Sequence, residues 1–165
     1  MGYGANVASA RRAVDYVTSK MTVGASNRVD VLKTGGGSVL CVFATRQTDF
    51  AVAERNGIPS YILLPAATAE HVGCGNCGEQ AALAFVYLVE DLKVKPVEYM
   101  GRTNADHAFV VIGRSKDSDV SDYKTWGDQC VVCDPWDKKS FAASQIPKEA
   151  YKPESFQAES IFRLD

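Results

Sequence analysis

The sequence has little of what several large classes of protein require. Its longest apolar runs, at residues 60–67 and 81–89, are far shorter than the roughly 20 residues that a helix needs to cross a bilayer. The net charge is only −2, and the chain has neither a basic patch nor a long charged tail. Internal repeats and low-complexity segments are also absent. We therefore expect neither a membrane nor a nucleic acid as the partner of this chain.

Histidine and cysteine are scarce, so their positions are informative. The 165 residues, 46% of them hydrophobic, suit one globular domain. The only histidines are His71 and His107, and the cysteine count is five, an odd number that argues against a framework made only of disulfides. Because no apolar signal core follows the first residues, we expect reduced thiols. Catalysis or metal binding then remain as special roles for cysteine, and burial in the core is the simplest role for Cys41 and Cys130.

Hydrophobic periodicity predicts helices in the first half of the chain and an antiparallel sheet in the second, which is an α+β fold. The first half is predicted to contain helices over residues 5–21, 47–56 and 78–92, a strand over 38–44, and an apolar segment that stops at Pro65. The second half is predicted to contain strands over residues 97–101, 107–113, 130–133 and 160–164 and a polar loop over 115–123. Trp126 and Trp136 are both expected to be packing residues under the sheet.

The start of the 78–92 helix carries a candidate nucleophile. Asn76 is a suitable N-cap, and Glu79 in the first turn complements the helix dipole. Cys77 would lie in that first turn, where the dipole favours a thiolate and the backbone amides can stabilise an oxyanion. Gly75 and Gly78 flank Cys77 and would leave room for a substrate.

A cysteine nucleophile needs a base, and His107 is placed to supply one. It begins the strand over 107–113, and Asp134 follows the strand over 130–133. If these strands pair antiparallel and symmetrically about their loop, His107 lies opposite Asp134. The carboxylate could then hold the imidazole in one orientation.

These residues carry a resemblance to a known family. The stretch "CGNCGEQA", with the later "DHAFVVIG" and "VVCDPW", resembles the nucleophile helix and the histidine and acid strands of papain-like cysteine hydrolases. The order Cys77, His107, Asp134 and the Asn-Cys-Gly turn are closest to the papain-fold toxin and effector domains of bacteria. The resemblance covers residues 73–136.

The resemblance implies a single papain-like catalytic domain over residues 1–165, either complete or part of a larger toxin or effector. Its nucleophile helix would pack on an antiparallel sheet. Cys77, His107 and Asp134 would form a catalytic triad that attacks a protein amide with no metal and no other cofactor. The Cys77 amide, His71 and Asn76 are candidate oxyanion donors, and Gly75, Gly78 and Trp136 are candidate cleft residues.

Within this family we favour glutamine deamidation over cleavage of a peptide bond. His71 stands where papain-like proteases have a glutamine, and Gly78 where they have an aromatic residue. The resemblance further implies a virulence protein made in a bacterial cytoplasm and then secreted or delivered into a target cell. Its partners would be a protein substrate and an immunity protein or chaperone.

Other uses of the cysteines remain open. Cys74, Cys77, Cys130 and Cys133 could together hold a structural zinc ion in a binding module, although Cys130 and Cys133 would face opposite sides of a strand. Cys74 and Cys77 could form a redox pair, and Cys74 could form a papain-like disulfide in an oxidising compartment. The domain could also be an inactive papain fold that only binds.

Overall fold

A computed structural model describes residues 2–47 and 52–165, and it confirms the mixed α+β architecture. The α-helices are α1 (Tyr3–Lys20), α2 (Asp30–Lys33), α3 (Gly37–Arg46), α4 (Ser60–Val72), α5 (Cys77–Glu90) and α6 (Ile146–Glu149). The strands are β1 (Val97–Arg102), β2 (Ala108–Ile112), β3 (Val131–Asp134), β4 (Lys139–Ala142) and β5 (Ala158–Leu164). Short 3₁₀ helices lie at Tyr123–Thr125, Ala143–Gln145 and Pro153–Ser155.

The five strands form one antiparallel sheet in the order β4-β3-β2-β1-β5. The predicted pairing of β2 with β3 is confirmed, but its register differs by two residues, because Val110 lies opposite Cys133. The connection between these strands contains its own turns and a 3₁₀ helix, so it is not a symmetric hairpin. Since side chains alternate with a period of two, this shift leaves every residue on its predicted face.

Apolar side chains cover both faces of the sheet. On one face α5 packs against β1 and β2 and α1 packs against β3 and β4, with Phe85 and Leu88 fully buried between them. On the other face the buried Trp126 lies in a second cluster, which confirms its predicted position under the sheet. Within the described residues no helix is long and apolar enough to cross a bilayer.

Two predictions for the region before α4 are wrong. Residues 38–44 belong to α3 rather than to a strand: Ser38 and Val42, four residues apart, are buried, while Leu40 and Phe43 are exposed. A short apolar run does not by itself distinguish a strand from a helix. The predicted 47–56 helix is not formed where the chain is described, since Arg55 makes a tight turn to Ile58; residues 48–51 lie outside the described part.

The apolar segment of residues 60–65 does not stop at Pro65, because α4 continues to Val72. A proline inside a helix removes one backbone hydrogen bond. The buried side chains of Ile62, Ala66 and Ala69 recur at helical spacing, and α4 packs along α5. This packing offsets the lost hydrogen bond.

Candidate active site

The first turn of α5 presents Cys77 as the sequence predicts. Asn76 is the N-cap, and Glu79 accepts a hydrogen bond from the Asn76 backbone N–H at 2.9 Å. Cys77 is the first residue of the helix, so its own N–H has no acceptor within the helix and remains available to an anion.

Arg46 of α3 holds the Glu79 carboxylate from the other side. Its Nε and one terminal nitrogen lie 2.8 and 3.2 Å from the two carboxylate oxygens. Burial, the largest influence, raises the pKa of Glu79, but the hydrogen bonds and the positive charge of Arg46 outweigh it and lower the pKa. The carboxylate therefore stays ionised at the positive end of the helix dipole.

The segment around Ser26 packs beside this turn. The Asn76 side-chain oxygen accepts hydrogen bonds from the Ser26 N–H and hydroxyl at 2.9 and 3.1 Å, and its Nδ2 donates to the same hydroxyl. One N–H of the Asn76 amide group is thus used by Ser26; Asn76 also lines the cleft around Cys77, so its candidate role as an oxyanion donor stays a prediction. The Asn76 side chain thus connects the start of α5 to the segment around Ser26.

Gly75 is needed for a different reason from the one predicted. It is buried and is not among the residues that line the cleft around Cys77. A Cβ at this position would lie 2.7 Å from the Glu79 Cβ. A side chain at Gly75 would therefore displace the residue that caps α5. Gly78 does line the cleft, as predicted.

His107 and Asp134 meet at one end of the sheet, which confirms that they are neighbours. The His107 Nε2 lies 2.6 Å from the Asp134 Oδ2, and both side chains are almost completely buried. The other carboxylate oxygen accepts the Asp137 backbone N–H at 3.1 Å, so Asp134 is fixed in orientation.

The Cys77 thiol lies close enough to the same imidazole to influence its pKa, and the thiol also contacts the Asp106 backbone carbonyl at 4.0 Å. Since Nε2 is occupied by Asp134, Nδ1 is the nitrogen left to face the thiol. Burial, the largest influence, lowers the pKa of His107, but the hydrogen bonds and charges of Asp134 and Cys77 outweigh it and raise the pKa to about 9. His107 therefore carries a proton at neutral pH.

Aromatic rings enclose the imidazole. The rings of Trp136 and Tyr151 lie 5.2 and 5.1 Å from the His107 ring, measured between centroids. Trp136 is 8% exposed and is not among the residues lining the cleft, so it backs the histidine instead of forming a cleft wall as predicted. Tyr151 comes from the segment before β5, and no local pattern in the sequence marks it.

An open cleft of about 530 Å³ leads to Cys77 and His107. His71 does not line it: this residue is exposed on the last turn of α4, so its candidate role as an oxyanion donor is not supported. Asn27, which the sequence analysis missed, does line the cleft. Its side-chain oxygen accepts the Trp136 Nε1–H at 2.9 Å, which leaves the Asn27 amide group free to donate.

Cys74 forms a disulfide with Cys41 of α3. The prediction that all thiols are reduced is therefore wrong, as is the assignment of Cys41 to the core; the alternative of a disulfide at Cys74 is the one formed. Local sequence could not identify the partner, because α3 reaches Cys74 only through tertiary packing. Cys77, Cys130 and Cys133 are free and buried.

The disulfide also bears on the metal and redox alternatives. With Cys74 bonded to Cys41, it cannot pair with Cys77 as a redox couple or complete a four-thiolate zinc site. Cys130 and Cys133 lie in clusters on opposite faces of the sheet, as their spacing predicts. In residues 2–47 and 52–165, no group of three or more Cys, His, Asp or Glu side chains is arranged to hold a metal ion.

Removing this disulfide is expected to destabilise the protein strongly. The bonded cysteines are 33 residues apart, and closing a loop of that size limits the unfolded chain. The double variant Cys41→Ala/Cys74→Ala should lose about 3–4 kcal/mol of unfolding free energy, measured by guanidinium unfolding. Cys77→Ala, which removes a thiol but no cross-link, is the control. Equal midpoints for the double variant and the wild type would contradict the expectation.

Comparison of the chain with protein-family models, with curated proteins and with solved structures finds no match.

Proposed function

We propose that this chain is a papain-like cysteine hydrolase that deamidates a glutamine side chain of a target protein. One observation carries the proposal: Cys77, at the start of a buried helix, lies in an open cleft beside His107, and His107 is hydrogen-bonded to the buried Asp134. This is the arrangement by which a thiol is activated as a nucleophile.

In the proposed first step, the Cys77 thiolate attacks the carboxamide carbon of the glutamine. The negative charge that develops on the oxygen is stabilised by the Cys77 backbone N–H and by the free amide group of Asn27. The His107 imidazolium then donates its proton to the leaving nitrogen. The C–N bond breaks, ammonia leaves, and a thioester with Cys77 remains.

In the second step, neutral His107 takes a proton from water, which attacks the thioester. The C–S bond breaks, glutamate is released, and the thiolate–imidazolium pair is restored. Asp134 accepts a hydrogen bond from Nε2 throughout, so Nδ1 keeps facing the thiol and the cleft.

The disulfide supports the further proposal that the protein is a bacterial toxin or effector. Disulfides form and persist in oxidising compartments and are rare in the cytosol. The bacterial periplasm and the outside of the cell are such compartments, so export through them would allow this bond to form. An immunity protein or chaperone that covers the cleft before delivery completes this proposal.

Peptide-bond cleavage is the second candidate. β5 ends the sheet order, so its outer edge has no partner strand within the described chain, and its residues Glu159 and Ile161 line the cleft. An extended polypeptide could add to that edge beside Cys77. The same nucleophile would then attack a backbone carbonyl.

A mass-spectrometric comparison tests the proposal and separates the two candidates. Protein extract is incubated with wild type or with Cys77→Ala. Deamidation predicts a gain of about 1 Da at particular glutamines with the wild type only, whereas cleavage predicts new chain ends. If wild type and Cys77→Ala produce the same peptides, the hydrolase proposal is wrong.

The raised pKa of His107 predicts an upper pH limit for activity. The imidazolium that protonates the leaving group is present below the pKa of about 9 and is lost above it. We therefore expect kcat/KM for ammonia release from a glutamine-rich protein such as casein to fall as the pH rises through about 9. In Asp134→Asn the carboxylate charge that helps to raise this pKa is removed, so the fall should occur at lower pH. A profile that stays flat to pH 10 and is unchanged in Asp134→Asn would contradict this assignment.

A further inference from the structure

The floor of the cleft crosses three strands beside the triad. Ala108 of β2, Gly101 of β1 and Glu159 of β5 are direct neighbours in the sheet, and all three line the cleft. Residues directly opposite each other in a sheet share a face. Because Ala108 has only a methyl group and Gly101 has no side chain, the floor between His107 and Glu159 is low and open.

A β-bulge turns an apolar side chain over this floor. Tyr99 pairs with Phe162 and Met100 pairs with Ser160, so Ile161 is an extra residue without a partner in the ladder. Bulges next to active sites commonly redirect a side chain. Ile161 is 45% exposed, and a Cβ added at Gly101 would lie 3.0 Å from its Cδ1.

The Glu159 carboxylate also lies close to Gly101. A Cβ added at Gly101 would lie 3.5 Å from the Glu159 Oε1. An aliphatic side chain and a carboxylate, both from β5, thus lie over the position that a side chain at Gly101 would occupy.

Two exposed carboxylates lie in the cleft. Among the described residues, Glu159 and Asp106 are exposed and neither has an ion-pair partner. The two arginines that line the cleft are already hydrogen-bonded within the protein. Arg46 is paired with Glu79. Arg102 donates to backbone carbonyls of residues 151–157.

We propose that Gly101, Asp106, Glu159 and Ile161 form a subsite that binds a lysine or arginine side chain next to the amide that Cys77 attacks. Long basic side chains pack their aliphatic stem on an apolar surface and keep the charged end in water. Here Ile161 and Gly101 would contact the stem, and Glu159 and Asp106 would attract the charge. This inference depends on the proposed hydrolase function and adds its substrate class: an amide with a basic neighbour.

Peptide probes that alkylate a nucleophilic cysteine test the subsite. We would use short peptide acyloxymethyl ketones that are identical except for one residue, which is lysine, methionine or glutamate, and measure the rate of Cys77 labelling. In this labelling the thiolate forms a C–S bond and displaces a carboxylate. The expected order is lysine, then methionine, then glutamate, with lysine about tenfold faster than glutamate.

Variants then assign the preference to particular side chains. Glu159→Gln and Asp106→Asn should each reduce the ratio of lysine to glutamate rates, whereas Asp117→Asn, an exposed unpaired aspartate away from the cleft, should leave it unchanged. Gly101→Val should slow the lysine and methionine probes together, because the valine side chain would displace Ile161 from its position over residue 101.

Iodoacetamide, which is small and uncharged, separates the two possible failures. If iodoacetamide labels Cys77 at a rate that depends on His107 but the lysine and glutamate probes react equally, the subsite is wrong and the hydrolase proposal stands. If no reagent labels Cys77 ahead of the other cysteines, both proposals are overturned. A preference for lysine that survives in Glu159→Gln and Asp106→Asn also overturns the subsite.

Discussion

Replacing His107 with alanine is expected to lower the rate at which iodoacetamide labels Cys77 at pH 6.5 by at least about tenfold. An ordinary thiol is only about 1% thiolate at that pH. In the proposed mechanism, the His107 imidazolium favours the thiolate form of Cys77. Hydrolysis of an amide should fall further, by about 10³-fold or more, because the proton donor and the base are the same residue. The labelling is read by mass spectrometry on the peptide that contains Cys77.

The sequence offers a matched control for this experiment. His71→Ala removes the other histidine, which is exposed on α4 and does not line the cleft, and should leave the labelling rate unchanged. Cys130 serves as an internal reference because burial raises its pKa to about 12. If His107→Ala and His71→Ala label Cys77 at equal rates, the imidazole does not activate the thiol.

A loss of labelling must also be distinguished from a loss of folding, since His107 is enclosed by Trp136 and Tyr151. The thermal midpoint of each variant should therefore be measured alongside the labelling. Asp134→Asn is a milder second variant, because asparagine keeps an oxygen that can accept the Nε2–H. An intermediate labelling rate in Asp134→Asn, with an unchanged midpoint, would identify an electrostatic effect.

The second large effect is expected at Glu98, far from Cys77. Glu98 is 1% exposed, and its two carboxylate oxygens accept hydrogen bonds from Arg114 at 2.9 and 3.0 Å. Arg163 of β5 contacts the same carboxylate. Replacing Glu98 with glutamine leaves the buried Arg114 without its counter-charge and removes one of the two carboxylates that pair with Arg163. We expect a loss of about 3–5 kcal/mol of unfolding free energy.

Chemical unfolding of Glu98→Gln measures this loss, and Asp165→Asn is its control. Asp165 is half exposed and pairs with Arg163 at 2.7 Å. Exposed ion pairs contribute little, so this variant should lose much less unfolding free energy than Glu98→Gln. Equal losses of unfolding free energy in the two variants would show that burial does not make the Glu98 ion pair more important for stability than an exposed pair. Because Glu98 lies at the end of β1 away from the cleft, Cys77 labelling under native conditions should be unchanged.

Local sequence was sufficient to predict the start of the nucleophile helix and the proximity of the histidine and the aspartate. Capping of α5 by Asn76 and Glu79 involves residues three apart, which is a distance that local sequence controls. The meeting of His107 and Asp134 needs only that two successive strands pair antiparallel. It is also unaffected by an error of two residues in the register, because the side-chain period is two.

The features whose partners are distant in the chain could not be predicted, because they form only when separate segments pack together. The sequence of α3 taken alone predicts a strand. Packing and the disulfide to Cys74 place this helix beside the nucleophile. In the same way, the cleft residues Asn27 and Ile161 come from segments with no motif of their own. A hydrogen bond from Trp136 orients Asn27, and a bulge against β1 turns Ile161. Local sequence encodes helix caps and strand faces, whereas contacts between distant segments depend on how the whole core packs.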